Sequence, residues 1–135
     1  MLALKFLAKF KDFGLLVMRL GIGLSFIMHG SQKMFGGVET WTQVGSSMTN
    51  FGMNHYHYIW GFLAAFAEFG GGIFLILGFL TRPAAIMMWF TMVVATTMHV
   101  LKGDGFQVYS HALEMSVVFF ALIFVGPGRF SIDQE

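Results

Sequence analysis

Four stretches of apolar residues, each close to the length of a membrane span, dominate this 135-residue chain and leave it few ways to fold. They run over residues 13–34, 56–80, 83–101 and 108–126. A helix needs roughly 20 apolar residues to cross the hydrocarbon core of a bilayer. Inside lipid, each backbone amide must also find its partner within its own segment. The runs do not alternate apolar with polar residues, as half-buried strands do. The expected fold class is therefore all-α: an integral membrane four-helix bundle forming a single transmembrane domain over residues 1–135. Charge agrees, since 11% of the residues are charged where a soluble domain carries about 25%.

The segments between the runs are informative too. Residues 2–11 interleave Lys5, Lys9 and Lys11 with apolar side chains. That pattern predicts a short amphipathic helix on the membrane surface rather than a cleaved leader. In the long first connection, Thr40-Trp41-Thr42-Gln43 has capping-box spacing. Trp41, Val44, Met48 and Phe51 follow at helical intervals, which predicts an interfacial helix across one mouth of the bundle. Thr81 is placed to cap the third span, with Pro83 tolerated in its first turn, and Lys102-Gly103-Asp104-Gly105 reads as a turn. Lys5, Lys9, Lys11, Arg82 and Arg129 fall on one side and Lys33 and Lys102 on the other. The positive-inside rule then puts both termini in the cytoplasm. A net charge of +1 argues against a nucleic-acid partner, and the absence of cysteine excludes thiol chemistry.

Function must come from the ionisable residues in or beside the spans: Arg19, His29, Glu68, His99, His111 and Glu114. Each is costly in lipid and is expected to face the bundle interior, a partner or a site. In the first span Arg19, Gly23, Phe26, Gly30 and Lys33 share one face, with His29 beside it. In the second, Gly61, Ala65, Glu68 and Gly72 form a stripe that lets another helix approach the carboxylate. The plain expectation pairs Arg19 with Glu68 across about 8 Å of depth, at 1.5 Å rise per residue. The functional one makes Glu68 a proton-exchanging group. His29, His99 and His111 reach similar depth in the outer half, and Glu114 follows His111 by three residues on one face. Such a set can hold a metal, grip a quinone carbonyl or relay protons. The expected catalytic residues are Glu68, His111 and Glu114. Arg19, His29, Lys33 and His99 are the expected ligand-binding residues, and the metal candidates are His29, His99, His111 and Glu114.

The order of motifs resembles the DoxX family of small four-helix bacterial membrane proteins. Arg19-Leu20-Gly21-Ile22-Gly23 and His29-Gly30-Ser31-Gln32-Lys33 carry the likeness in the first span. Glu68-Phe69-Gly70-Gly71-Gly72, Leu77-Gly78-Phe79-Leu80-Thr81-Arg82 and the ending Gly126-Pro127-Gly128-Arg129-Phe130-Ser131-Ile132-Asp133 continue it. The resemblance implies a bacterial cytoplasmic (inner) membrane location and marks Arg19, Lys33, Glu68 and Arg82. It also implies kinship with subunits of respiratory or sulfur-oxidising systems, thiosulfate:quinone oxidoreductases among them.

The leading expectation is thus an inner-membrane component of a redox system, of oxidoreductase-subunit type. An outward-facing polar pocket would take a quinone-like or small polar ligand. In that reading Glu114 orients His111, and Arg19 keeps Glu68 ionised. A small transporter and a non-catalytic adaptor are the rivals, with the lipid bilayer, redox partner subunits or a homo-oligomer as partners and a quinone or metal ion as cofactor.

Overall fold

The structure is a computed structural model that describes residues 3–134. Its elements are a 3-10 turn (Lys5–Phe10), α1 (Lys11–Met34), α2 (Gly37–Gly45), a second 3-10 turn (Ser46–Phe51), α3 (His57–Leu77), α4 (Thr81–Leu101) and α5 (Phe106–Val125). The four long helices α1, α3, α4 and α5 each carry length and hydropathy enough to cross a membrane. The described residues contain no strand. The segment before α1 is a 3-10 turn with no buried residue, rather than the regular amphipathic helix the lysine spacing suggested; Met1 and Leu2 lie outside the described residues.

Helix α3 packs closely on both α1 and α4, and α4 packs on α5. Large side chains close the gap between α1 and α5, where the Phe26 and Phe119 rings meet edge to face at 5.2 Å. The core is small and apolar: Phe26, Leu75, Ala85, Met88, Met92, Phe119 and Leu122. Elsewhere large apolar side chains such as Leu24, Phe90, Val117 and Phe124 are exposed. In water that would be an aggregation hazard; on a membrane span it is the lipid-facing surface.

Glycine sets the register between α1 and α3. A methyl group on Gly23 would come within 2.7 Å of the Gly72 carbonyl, and one on Gly30 would overlap the backbone at Phe69. The two helices therefore touch backbone to backbone, as small residues permit in membranes. Gly30 lies four residues from the end of α1, whereas Phe69 lies twelve from the start of α3. So α3 overshoots α1 by eight residues, or about 12 Å. Helix α2 covers the overhang: Gly61 sits against the Trp41 carbonyl, Gly45 against that of His57, and the Trp41 and Phe62 rings meet at 5.0 Å. The expected interfacial helix is present, but it starts at Gly37. Thr40 lies inside it, with its hydroxyl donating to the Gly36 carbonyl, so the capping-box reading was wrong.

The start of α1 and the tail after α5 meet on one face, where the Arg129 N–H donates to Asp12 at 3.3 Å. The tail after α5 folds back under the bundle. The Ile132 and Asp133 amides donate to the carbonyls of Leu77 and Gly78. The Asp133 carboxylate accepts from the N–H groups of Leu80 and Thr81 at 3.1 and 3.0 Å. The start of α4 is thus capped from 52 residues away. Thr81 provides no side-chain cap of its own, because it is already the first helical residue.

These bonds, the one from Thr81 foremost, hold the Asp133 carboxyl below its ordinary value of 3.8. A depressed folded-state value means the stabilisation is complete above the ordinary carboxylate range and fades as pH falls through the lowered value. Asp133→Asn is expected to lower stability near neutral pH by about 1 kcal/mol, the typical worth of a helix cap. Thermal unfolding in detergent should show parent and variant converging in acid.

Candidate functional site

Two cavities open beside the distal half of the bundle, and the same charged pair lies between them. A cavity of about 560 Å³ runs between α3 and α4, beneath α2 and the following turn. Most of its wall is apolar: Leu63, Ala64 and Ala67 from α3 face Phe90, Val94 and Met98 from α4. A second cavity, of about 240 Å³, is enclosed by Phe26 and His29 of α1, Met92 of α4, and Val108, His111 and Ala112 of α5. Lys33, Glu68, Ala95 and His99 line both.

Lys33 Nζ donates to Glu68 Oε1 at 2.7 Å. The Glu68 side chain is 4% exposed and that of Lys33 37%. The carboxylate is therefore held in a nearly dry position, while the ammonium still reaches open space. A buried ion lacking such a partner is strongly destabilising. The Trp41 indole fixes the end of α1 by donating to the Lys33 carbonyl at 3.0 Å. His99 Nδ1 lies 2.8 Å from Asp104 Oδ2. That contact occupies one ring nitrogen of a side chain that lines both cavities. The His29 and His111 rings meet edge to face with centroids 6.3 Å apart.

Five of the expected site residues therefore come together: His29, Lys33, Glu68, His99 and His111 all line the smaller cavity. Arg19 does not join them. It is 1% exposed and donates through Nη1 to the carbonyls of Leu75 and Ile76 at 3.0 and 3.4 Å. Its Nη2 donates to the Phe130 carbonyl. The expected Arg19–Glu68 pair is thus overturned, and with it the idea that Arg19 keeps Glu68 ionised. The eight-residue overshoot of α3 puts the end of that helix, with its unsatisfied carbonyls, opposite Arg19. The same shift brings Lys33 to Glu68.

Glu114 also stands apart. It is exposed, lines neither cavity and makes no bond to His111. Three residues along α5 turn it about 60° further out than His111. Such a carboxyl within a span costs about 2.5 kcal/mol or more if left to lipid. Among the described residues no three His, Asp or Glu side chains stand close enough to hold a metal ion, so the four metal candidates do not form a ligand set. Sequence reasoning missed Asp104, which it read only as part of a turn. Its place five residues after His99, in a turn that reverses the chain, was the available signal.

Four spans surrounding a half-buried ion pair and a histidine cluster define a polytopic membrane protein with an intramembrane polar site. The DoxX family profile matches residues 14–100, and the chain belongs to that family. It is 33% identical over 132 residues to the inner membrane protein YqjF of Escherichia coli (strain K12), covering 93% of this chain and 94% of the relative. No solved structure matches it. The chain is accordingly a multi-pass inner-membrane protein.

Proposed function

We propose that this protein binds a lipid-soluble ligand of the quinone class within the membrane, as a component of a redox system. The ligand's tail lies along the α3–α4 groove and its polar head sits at Lys33, Glu68 and His99. The observation that carries this reading is the lining of the larger cavity: mostly apolar side chains of α3 and α4, with Lys33, Glu68 and His99 among them. A ligand with a hydrocarbon tail and a hydrogen-bonding head matches both kinds of lining. Lys33 offers N–H donors to a head carbonyl, and His99 offers its free Nε2. Glu68 exchanges protons with the ligand, and His29 and His111 connect it to the distal face through the smaller cavity. Asp104 takes the orienting role expected of Glu114, acting on His99 instead of His111. The terminal face, with its lysines, is the cytoplasmic one.

Trp60 lines the larger cavity and reports on occupancy. Titration with a short-chain quinone analogue should quench tryptophan fluorescence saturably, and Trp60→Phe should remove most of the quenching. Asp104→Asn should weaken binding by about tenfold, the lower end of what a lost orienting partner costs. Non-saturable quenching, unchanged by Trp60→Phe, would count against ligand binding in the groove.

A further inference from the structure

We infer that the face carrying the start of α1 and the tail after α5 is a docking surface for anionic phospholipid headgroups, built by Lys5, Lys9, Lys11 and Arg129. All four side chains are exposed, and none has a carboxylate partner among the described residues. The two described carboxylates on this face are already engaged. Asp12 accepts from the Arg129 N–H, and Asp133 accepts from the N–H groups of Leu80 and Thr81. The face therefore carries positive charge that the protein itself leaves without a counter-ion.

Apolar side chains are interleaved with these cations. Phe6 and Phe10 are 64% and 51% exposed, and Leu4 and Leu7 are exposed beside them. The 3-10 turn that carries them buries no residue, and among the described residues it packs only on α1, into which it runs. The bundle core makes no use of these rings. Lys9 Nζ lies over the Phe10 ring at 5.2 Å, and the Arg129 guanidinium lies over the Phe130 ring at 5.0 Å. Cations and rings thus stand side by side, as they do in segments that lie at the boundary between headgroups and acyl chains.

The layout favours a leaflet over one small anion. From Lys5 to Lys11 the chain advances about 12 Å at the 3-10 rise of ~2 Å per residue. The lysines are therefore strung along a line rather than gathered into one pocket. Both cavities lie at the opposite half of the bundle, around Lys33 and His99. Lipid phosphates beside the lysines, with their acyl chains against Phe6 and Phe10, satisfy both kinds of side chain. Each lysine near an anionic leaflet strengthens the association by about fivefold.

Native mass spectrometry of the purified full-length protein, mixed in detergent with equimolar phosphatidylglycerol and phosphatidylcholine, tests this. The parent should retain phosphatidylglycerol in about fivefold excess or more, the factor that one engaged lysine supplies. Lys5→Gln, Lys9→Gln and Lys11→Gln combined should bring the ratio near one, whereas the three matching arginine substitutions should keep it. Lys102→Gln, on the opposite side by sequence, should leave it unchanged. In lipid-free detergent both triple variants should unfold at the parent's midpoint, since these side chains bond to nothing in the bundle. A parent without preference, a glutamine variant that keeps the preference or melts lower, an arginine variant that loses it, or an equal loss with Lys102→Gln would each overturn the inference.

Discussion

Lys33→Met is expected to lower stability by about 3 kcal/mol, the low end for stranding one member of a buried pair. The low end applies because Lys33 is partly exposed while Glu68 is not. For a domain with roughly 5–15 kcal/mol in total, that loss is visible as a large drop in thermal midpoint. Binding of a quinone analogue should fall by about a hundredfold or more, equivalent to ~2.7 kcal/mol. Adding Glu68→Leu removes the stranded carboxylate, so the double variant should recover most of the stability while its binding stays lost. Lys33→Arg keeps the charge and should stay folded. If the double variant bound the analogue like the parent, the pair would be structural only.

Gly30→Val is expected to prevent accumulation of the folded protein. The added carbons would overlap the Phe69 backbone and the Glu68 carbonyl carbon, which, unlike a flexible side chain, cannot swing aside. Overpacking commonly costs about 1–3 kcal/mol, and a rigid helix–helix contact belongs at or beyond the upper end. Gly61→Val, pressed against the Trp41 backbone, should behave alike by detaching α2. Gly21 has nothing within 4 Å of an added methyl. Gly21→Ala should therefore leave stability unchanged or raise it by up to about 1 kcal/mol, through helix propensity. Thermal melts of the three purified variants, with yield from membranes, check this contrast.

The spans were legible because apolar length is a sufficient signal in lipid, and the helices fall within a few residues of the runs that announced them. The shortfall at residues 78–80 has a local cause: Gly78 and Leu80 take left-handed backbone conformations, so α3 stops at Leu77 and α4 begins at Thr81. The pairing of charges was not legible. Aligning the ends of the first two spans brings Arg19 toward Glu68; the glycine contacts and the α2 overhang shift that register by about two turns, and no single-span pattern records it. The Asp133 cap joins residues 52 positions apart, beyond any local rule. The outward turn of Glu114 depends on which stripe of α5 packs on α4, and the sequence of α5 is apolar on nearly every side. By contrast, the gathering of His29, His99 and His111 followed from depth, which counting residues from the span ends does supply, whereas the carboxylate that joins them is Glu68 and not the expected Glu114.

The central claim is that a tailed ligand lies between α3 and α4 with its head on the Lys33–Glu68 pair. Photoaffinity labelling in proteoliposomes with an azido-quinone, followed by peptide mapping, addresses it most directly. Labelling concentrated on residues 63–68 and 87–99, and competed away by unlabelled quinone, is the predicted result. Label spread over the lipid-facing sides of α1 and α5, or insensitive to competitor, would contradict it.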